Sequence, residues 1–332
     1  MPTCGTTSSG DSDALPVPVA TEAAVVAGPP PADTPDAIRR QARAGVAYGL
    51  AAYAWWGLVP IYFKAVVFVG ALEVLAHRVV WSVVLLSLLM LFQRRWRAAL
   101  EVLRSPRTAL TLAGTTVLIA SNWFVFIWAV GHDRVLESSL GYFINPLVNV
   151  LLGFVFLGER LTRWQSASVL LAGAGVAYLT LSYGRFPWIA LVLAGSFGVY
   201  GLLRKTAPVG SLVGLTVETS LLCPLALGYL VWLRARGDAA FGAGSVGVDV
   251  LLALAGVVTA VPLLWFASAA RRLRLATVGF LQYLAPTGHF LLAVLTFGEP
   301  FTRTHLVSFA CIWTALAVYS IDTARGPTRQ PR

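Results

Sequence analysis

The chain has 332 residues, 57% of them hydrophobic and only 12% charged, with a formal net charge of +10. Globular domains run at about 45–50% apolar and about 25% charged, so this composition excludes a water-soluble fold and describes an integral membrane protein. All of the 25 basic residues except Lys64 and Lys205 are arginine; with no nucleic-acid-binding motif beside them, they point to the anionic face of a lipid bilayer and no nucleic acid.

Residues 1–44 are rich in Pro, Ala, Thr and Ser, carry Asp11, Asp13, Glu22, Asp33 and Asp36, and read as a disordered extension. Pro16, Pro18 and the prolines at 29–31 interrupt its apolar pieces and no basic stretch precedes them, so no cleaved signal peptide is expected. Ten apolar runs follow, approximately 45–63, 74–92, 108–130, 138–157, 165–181, 187–203, 212–233, 250–270, 276–297 and 306–321. Each is near the roughly 20 residues a helix needs to cross about 30 Å of hydrocarbon. No period-two alternation appears, and lipid forbids open sheet edges. The expected fold class is therefore an all-α integral membrane protein with ten transmembrane helices, closed by a short basic tail at 323–332. Cys4, Cys223 and Cys311 are scattered without a CxxC, which suggests neither a disulfide framework nor a metal site.

The basic residues set the orientation, because positive loops stay in the cytoplasm. They concentrate at 39–43, 94–107, 160–163, 204–205, 271–274 and 325–332, whereas the alternate loops hold only Arg134, Arg185, Arg234, Arg236 and Arg303. Both termini are expected inside, with Lys64 and Arg78 near the outer ends of the first two spans.

The chain also repeats itself. The stretch YFINPLVNVLLGFVFLGERLTR from Tyr142 aligns with QYLAPTGHFLLAVLTFGEPFTR from Gln282, pairing Pro146 with Pro286, Gly158 with Gly298 and Glu159 with Glu299. WWGLVPIYFK at 55–64 likewise aligns with SFGVYGLLRK at 196–205, so the two lysines share one repeat position and Pro60 meets Gly201. Five spans per copy is an odd number, so the copies, 45–182 and 186–322, enter the membrane inverted. Inverted five-helix repeats are the architecture of alternating-access carriers.

LEVLAHR at 72–78, WGLVPIYFK at 56–64, NWFVFIWAV at 122–130, SSLGYFINPLVNVLLGFVFLGERL at 138–161 and LQYLAPTGHFLLAVLTFGEPF at 281–301 together resemble the RarD-type permeases, in the EamA branch of the drug/metabolite transporter superfamily. The likeness covers nearly all of 45–322. It implies a ten-helix carrier of small molecules in the bacterial inner membrane, from a family whose name is tied to chloramphenicol sensitivity. It also implies a cavity lined by spans one, three, four, six, eight and nine, with Trp56, Asn122, Tyr142, Asn145, Gln282 and Tyr283 on its wall.

The residues themselves carry the chemistry of such a cavity. Pro60 cannot donate a backbone hydrogen bond, so it leaves the Trp56 carbonyl available. Pro146 and Pro286 interrupt the fourth and ninth spans beside Asn145 and Asn149 on one and Gln282 and His289 on the other; these polar groups either face a cavity or bond helix to helix. Lys64 and Lys205 are either snorkelling anchors or mobile charges that gate or attract substrate. Glu73, His77 and Glu218 are ionisable groups drawn into spans, hence candidates for coupling. Glu73 and His77 share a helix face at i, i+4, and the repeat aligns His77 with Glu218. Buried acids and imidazoles are the groups able to exchange a proton near neutral pH, so proton coupling through Glu218, with His77 as its outer counterpart, is a further expectation. Glu159 and Glu299 read as structural, each following a helix-ending glycine and placed ahead of the next helix.

An enzyme is not expected. HExxH and a Walker loop are absent, and the nearest approach to GxSxG, AGSFG at 194–198, has Ala194 at its first position. No cofactor or metal is expected; the partners are a small-molecule substrate, the lipid bilayer, and, as further candidates, protons and a second copy of the chain. A non-transporting membrane scaffold or a channel is the alternative. Reporter fusions check the topology: a fusion in the 94–107 loop should report cytoplasm and one at 234–236 periplasm, and the reverse readings would overturn both orientation and inverted repeat.

Overall fold

The computed structural model describes residues 35–131, 134–182, 184, 186–296 and 302–325. Most of the predicted N-terminal extension, Gly298 with Glu299, and the end of the basic tail lie outside these residues. The described residues form twelve helices and no strand: α1 Pro35–Ala65, α2 Ala71–Phe92, α3 Trp96–Arg104, α4 Pro106–Gly131, α5 Val135–Leu157, α6 Arg163–Ser182, α7 Trp188–Thr206, α8 Ser211–Ala235, α9 Val246–Arg272, α10 Leu275–Gln282, α11 Leu284–Leu295 and α12 Arg303–Arg325.

Among the described residues nine helices are long and apolar enough to cross a membrane unaided, namely α1, α2, α4 to α9 and α12. The predicted span 276–297 is the exception, because it consists of α10 and α11 meeting at Tyr283. Pro286 lies just beyond that junction and cannot donate to the Gln282 carbonyl, so the helical ladder is interrupted there. Helix α1 begins at Pro35, inside the expected disordered extension. A proline and an aspartate in the first turn, followed by the helix formers of AIRRQARA, favour that early start. The predicted 94–107 loop contains α3, whose exposed Trp96, Leu100 and Leu103 line one helical face of the interfacial kind. Ser105–Pro106 ends it and starts α4 with proline at the first position.

The repeat matches α1 with α7, α2 with α8, α4 with α9, α5 with α10–α11, and α6 with α12. Exchanging the partners turns the packed pair α1–α9 into α7–α4, α2–α9 into α8–α4, and α5–α7 into α11–α1, and all of these pairs are in contact. The pairs α2–α8 and α6–α12 map onto themselves. An approximate two-fold relation between the halves requires this pattern.

Lipid is as apolar as a leucine surface, so close fit and internal hydrogen bonds hold such a bundle together. Around α5, α6, α10 and α12 the core is Leu140, Phe143, Ala172, Val176, Phe280, Phe309 and Tyr319, with Phe280 and Tyr319 stacked at 3.8 Å. A second cluster joins Tyr53, Trp56, Phe197, Tyr200 and Phe266 from α1, α7 and α9. Helices α1 and α11 approach to backbone contact: a Cβ on Gly288 would stand 2.8 Å from the Gly57 Cα. Gly288→Val should therefore force these helices apart, costing about 1–3 kcal/mol and lowering the melting temperature of the purified protein. Gly228→Ala, which meets nothing within 4 Å, is the control expected to leave it unchanged.

Candidate functional site

The first turn of α10, the last turns of α5, α7 and α9, and α1 at Gly45 meet at one end of the bundle, the terminal end, and they are tied across the halves. Gly158 ends α5 in the left-handed conformation, as expected from the sequence. The carboxylate after it does not serve the next helix, however. Glu159 accepts from the Leu275 and Ala276 amides at 2.6 and 3.0 Å, capping α10 of the other half, while Arg274 stands 4.0 Å from it. Helix α6 is capped instead by Thr162 and Gln165, whose side chains each bond the other's backbone amide. Thr162 also donates to Asp322 at 2.7 Å, which brings the end of α12 to the same end.

Lys205 sits at this end too, but it is not a headgroup anchor: its ammonium donates to the Ala270 carbonyl at 3.1 Å and to the Leu273 carbonyl, closing the C-terminus of α9. Its repeat partner Lys64 is exposed at the end of α1. Arg204, counted from the sequence among cytoplasmic loop charges, is fully buried between α7 and α8. Consecutive helical residues point about 100° apart, so the neighbours Arg204 and Lys205 serve different helices. Arg204 Nε lies 3.7 Å from Glu218 Oε1, and its terminal nitrogen donates to the Ser211 carbonyl at 3.2 Å. Glu218 also accepts from Thr115 at 2.6 Å and from the Tyr200 hydroxyl at 3.2 Å. Gly214 makes the room, since a Cβ there would fall 2.0 Å from the guanidinium.

At mid-depth, α5 crosses α10 where a Cβ on Gly279 would reach the Pro146 carbonyl at 2.7 Å. Asn149 donates to Gln282 at 3.0 Å and to Asn145 at 3.1 Å, and Asn145 donates to the Ala194 carbonyl of α7 at 2.9 Å. All three amides are buried, so in this conformation they bond helix to helix and line no open space. Tyr283 is likewise 0% exposed, packed with Phe280, and is not a wall residue here. Asn122 donates to the Leu193 carbonyl and the Ser196 hydroxyl, both at 2.9 Å, tying α4 to α7.

Toward the opposite end the picture changes. The Trp56 carbonyl freed by Pro60 accepts from His289 Nε2 at 2.9 Å, so the broken ladder of α1 is repaired from α11. The His289 ring meets Tyr142 edge-on at 5.8 Å, and Tyr142, 37% exposed, faces Phe126 on its other side. Among the described residues, helix α5 packs along α10 but barely touches α11, and α1 scarcely touches α4 although the equivalent α7 and α9 are packed. The seams equivalent by repeat are thus closed at the terminal end and loose at the other. Tyr142, His289, Phe126 and Trp56 stand around the looser region.

Glu73 and His77 do not join Glu218. Glu73 accepts from the Ala240 and Phe241 amides at 2.8 and 3.3 Å and so holds the 236–245 loop, with His77 4.0 Å away and its ring 4.9 Å from Phe241. Both line a lateral cavity of about 700 Å³ between α2, α8 and this loop, with Trp81, Leu230 and Arg234.

Residues 43–181 match the EamA-like transporter family. The chain is 47% identical over 289 residues to an uncharacterized transporter of Vibrio cholerae, covering 87% of this chain and 95% of that protein. With protein RarD of Salmonella typhi it shares 47% over 283 residues, covering 85% and 96%. The chain belongs to the RarD group of the EamA-like transporter family. Its function class is therefore membrane transport. A RarD of Pseudomonas aeruginosa described as chloramphenicol-sensitive is 36% identical over 292 residues, 87% of this chain and 97% of that one. A crystal structure at 19% identity superposes with a TM-score of 0.65 over 85% of this chain and 99% of its own, which shows the fold shared beyond RarD-like sequences.

The Arg204–Glu218 pair yields a stability prediction. Arg204→Met strands a buried carboxylate and should cost about 3–5 kcal/mol, whereas adding Glu218→Gln should recover much of the loss. Thermal unfolding of the two single variants and the double in one detergent checks it, and strictly additive losses would show that the two side chains do not interact.

Proposed function

We propose that this RarD-group protein is a secondary carrier that moves a small organic solute across the bacterial inner membrane by alternating access, with both termini cytoplasmic. In this reading the halves 45–182 and 186–322 rock against each other around the α5–α10 crossing. One observation carries it: among the described residues, helix seams related by the repeat are packed at the terminal end and loose at the opposite end. A scaffold has no need of that inequality, and a channel would need both ends open at once. An inverted repeat makes the reverse inequality nearly equal in energy, which is what a carrier requires. The structure then corresponds to the outward-facing state. The Glu159 cap on α10, the Lys205 cap on α9, the Arg204–Glu218 pair and the aromatic cluster around Phe266 close the cytoplasmic side. Tyr142, His289 and Trp56, with Asn122 behind them, begin the solute path, and Asn145, Asn149, Gln282 and Tyr283 become accessible once the crossing loosens.

Proton coupling at Glu218 is a second reading, favoured by the position of this carboxylate. It is sealed in the closed end among Thr115, Tyr200 and Arg204, bonds that opening must break. A proton taken up at that moment would spare a bare charge in hydrocarbon. Chloramphenicol belongs among the candidate solutes because of the chloramphenicol-sensitive Pseudomonas relative.

Counterflow in liposomes, with a panel of labelled amino acids, organic acids and chloramphenicol, tests the carrier reading. Transient accumulation of a labelled solute without an imposed gradient is expected; none across the panel would remove it. For the solute that accumulates, Glu218→Gln should retain exchange and lose accumulation driven by a pH gradient. Full gradient-driven accumulation by this variant would exclude Glu218 as the coupling site.

A further inference from the structure

The guanidinium of Arg78 is held far more firmly than an interfacial charge needs. Its Nε donates to Thr259 Oγ1 at 2.8 Å, and that hydroxyl is itself fixed by donating to the Ala255 carbonyl at 2.8 Å. Phe63 of α1 and Trp123 of α4 place their ring centroids 5.5 and 5.2 Å from its central carbon, within the range of cation–π attraction. Arg78 therefore spans the seam between α1 and α4, the one left loose here. Among the described residues its two terminal nitrogens make no hydrogen bond and no ion pair, and they are not among the buried polar atoms sealed from solvent.

The other half supplies the contrast. Arg204 stands at the α7–α8 joint, the repeat equivalent of the α1–α2 joint that holds Arg78, and there the guanidinium is paired with the carboxylate of Glu218. At the Arg78 joint the protein brings no carboxylate of its own among the described residues. A guanidinium fixed through Nε offers its remaining N–H groups as a planar fork, and two coplanar oxygens fit that fork. The flanking rings offer an apolar surface beside the charge.

We propose that Arg78 anchors the carboxylate of the transported solute, with Phe63 and Trp123 receiving the apolar part next to it. The cargo class is then a small organic carboxylate with an apolar or aromatic body. This inference rests on the carrier reading but is tested by binding, so the two can fail separately. Purified full-length protein is titrated with matched pairs, benzoate against benzamide, phenylalanine against phenylalaninamide and indole-3-acetate against indole-3-acetamide, followed by melting temperature and tryptophan fluorescence. At least one carboxylate should bind about tenfold more tightly than its amide, a difference of about 1.4 kcal/mol. Arg78→Gln should abolish that discrimination, and Arg78→Lys, which keeps charge without the fork, should restore only part of it. A merely structural arginine would change stability and leave the carboxylate-to-amide ratio alone. Equal binding of acid and amide, no binding by any of the carboxylates, or full discrimination in Arg78→Gln would overturn the proposal. In the liposome panel, a solute without a carboxylate whose KM is unmoved by Arg78→Gln would overturn the anchor while leaving the carrier intact. Carboxylate binding without any counterflow would do the opposite.

Discussion

Hydrocarbon offers no hydrogen bonds, so every polar group drawn into this bundle must find its partner inside the protein. Most of the architecture follows from how that demand is met between helices. Pro60 strips a bond from α1, and His289 of α11 supplies it. Asn145 reaches the α7 backbone, Asn149 reaches Gln282 on α10, and Glu159 satisfies the amides that begin α10. Each of these bonds crosses from one half of the repeat to the other. The halves are therefore joined by polar contacts at a few points and by small-residue contact at Gly57–Gly288 and Gly279–Pro146. Such an interface has two discrete arrangements more readily than a continuous apolar core, because a hydrogen bond is lost outright when its helix shifts.

The two ends spend these contacts differently. At the terminal end, charged groups are turned inward: Glu159 and Lys205 on helix termini, Arg204 on Glu218. A buried pair of this kind contributes little net stability, since desolvation offsets much of the attraction, but removing one member is expensive. It acts better as a latch than as glue. At the other end the comparable arginine, Arg78, is set between aromatic rings, and among the described residues only its Nε makes a hydrogen bond.

How much of this was legible in the sequence differs residue by residue. The apolar runs fixed nearly every helix within a few residues, because length and hydropathy alone decide what lipid will accept. Pro60 with the Trp56 carbonyl was readable as well, since a missing amide always orphans the carbonyl four residues earlier. The donor was not readable: His289 lies far away in the chain, and only the α1–α11 approach brings it there. Lys205 drew attention by composition and Arg204 beside it did not, although Arg204 is the residue buried in an ion pair. Arg78 reads in the sequence as a charge near a span end, and nothing local distinguishes an arginine facing headgroups from one facing aromatic rings of two other helices.

The sequence by itself determined the membrane class, the number and approximate limits of the apolar runs, the repeat that matches α1 to α7 and α5 to α10–α11, and the family likeness. These are properties of composition and of order along one chain. Only the tertiary structure decided that Glu159 caps a helix of the opposite half and that Glu73 holds a loop while Glu218 holds an arginine. It alone decided that, among the described residues, the terminal end is the more tightly tied. The physical reason is that a polar side chain in hydrocarbon is committed to finding a partner, whereas the choice of partner depends on which faces of distant helices are brought within about 3 Å of it.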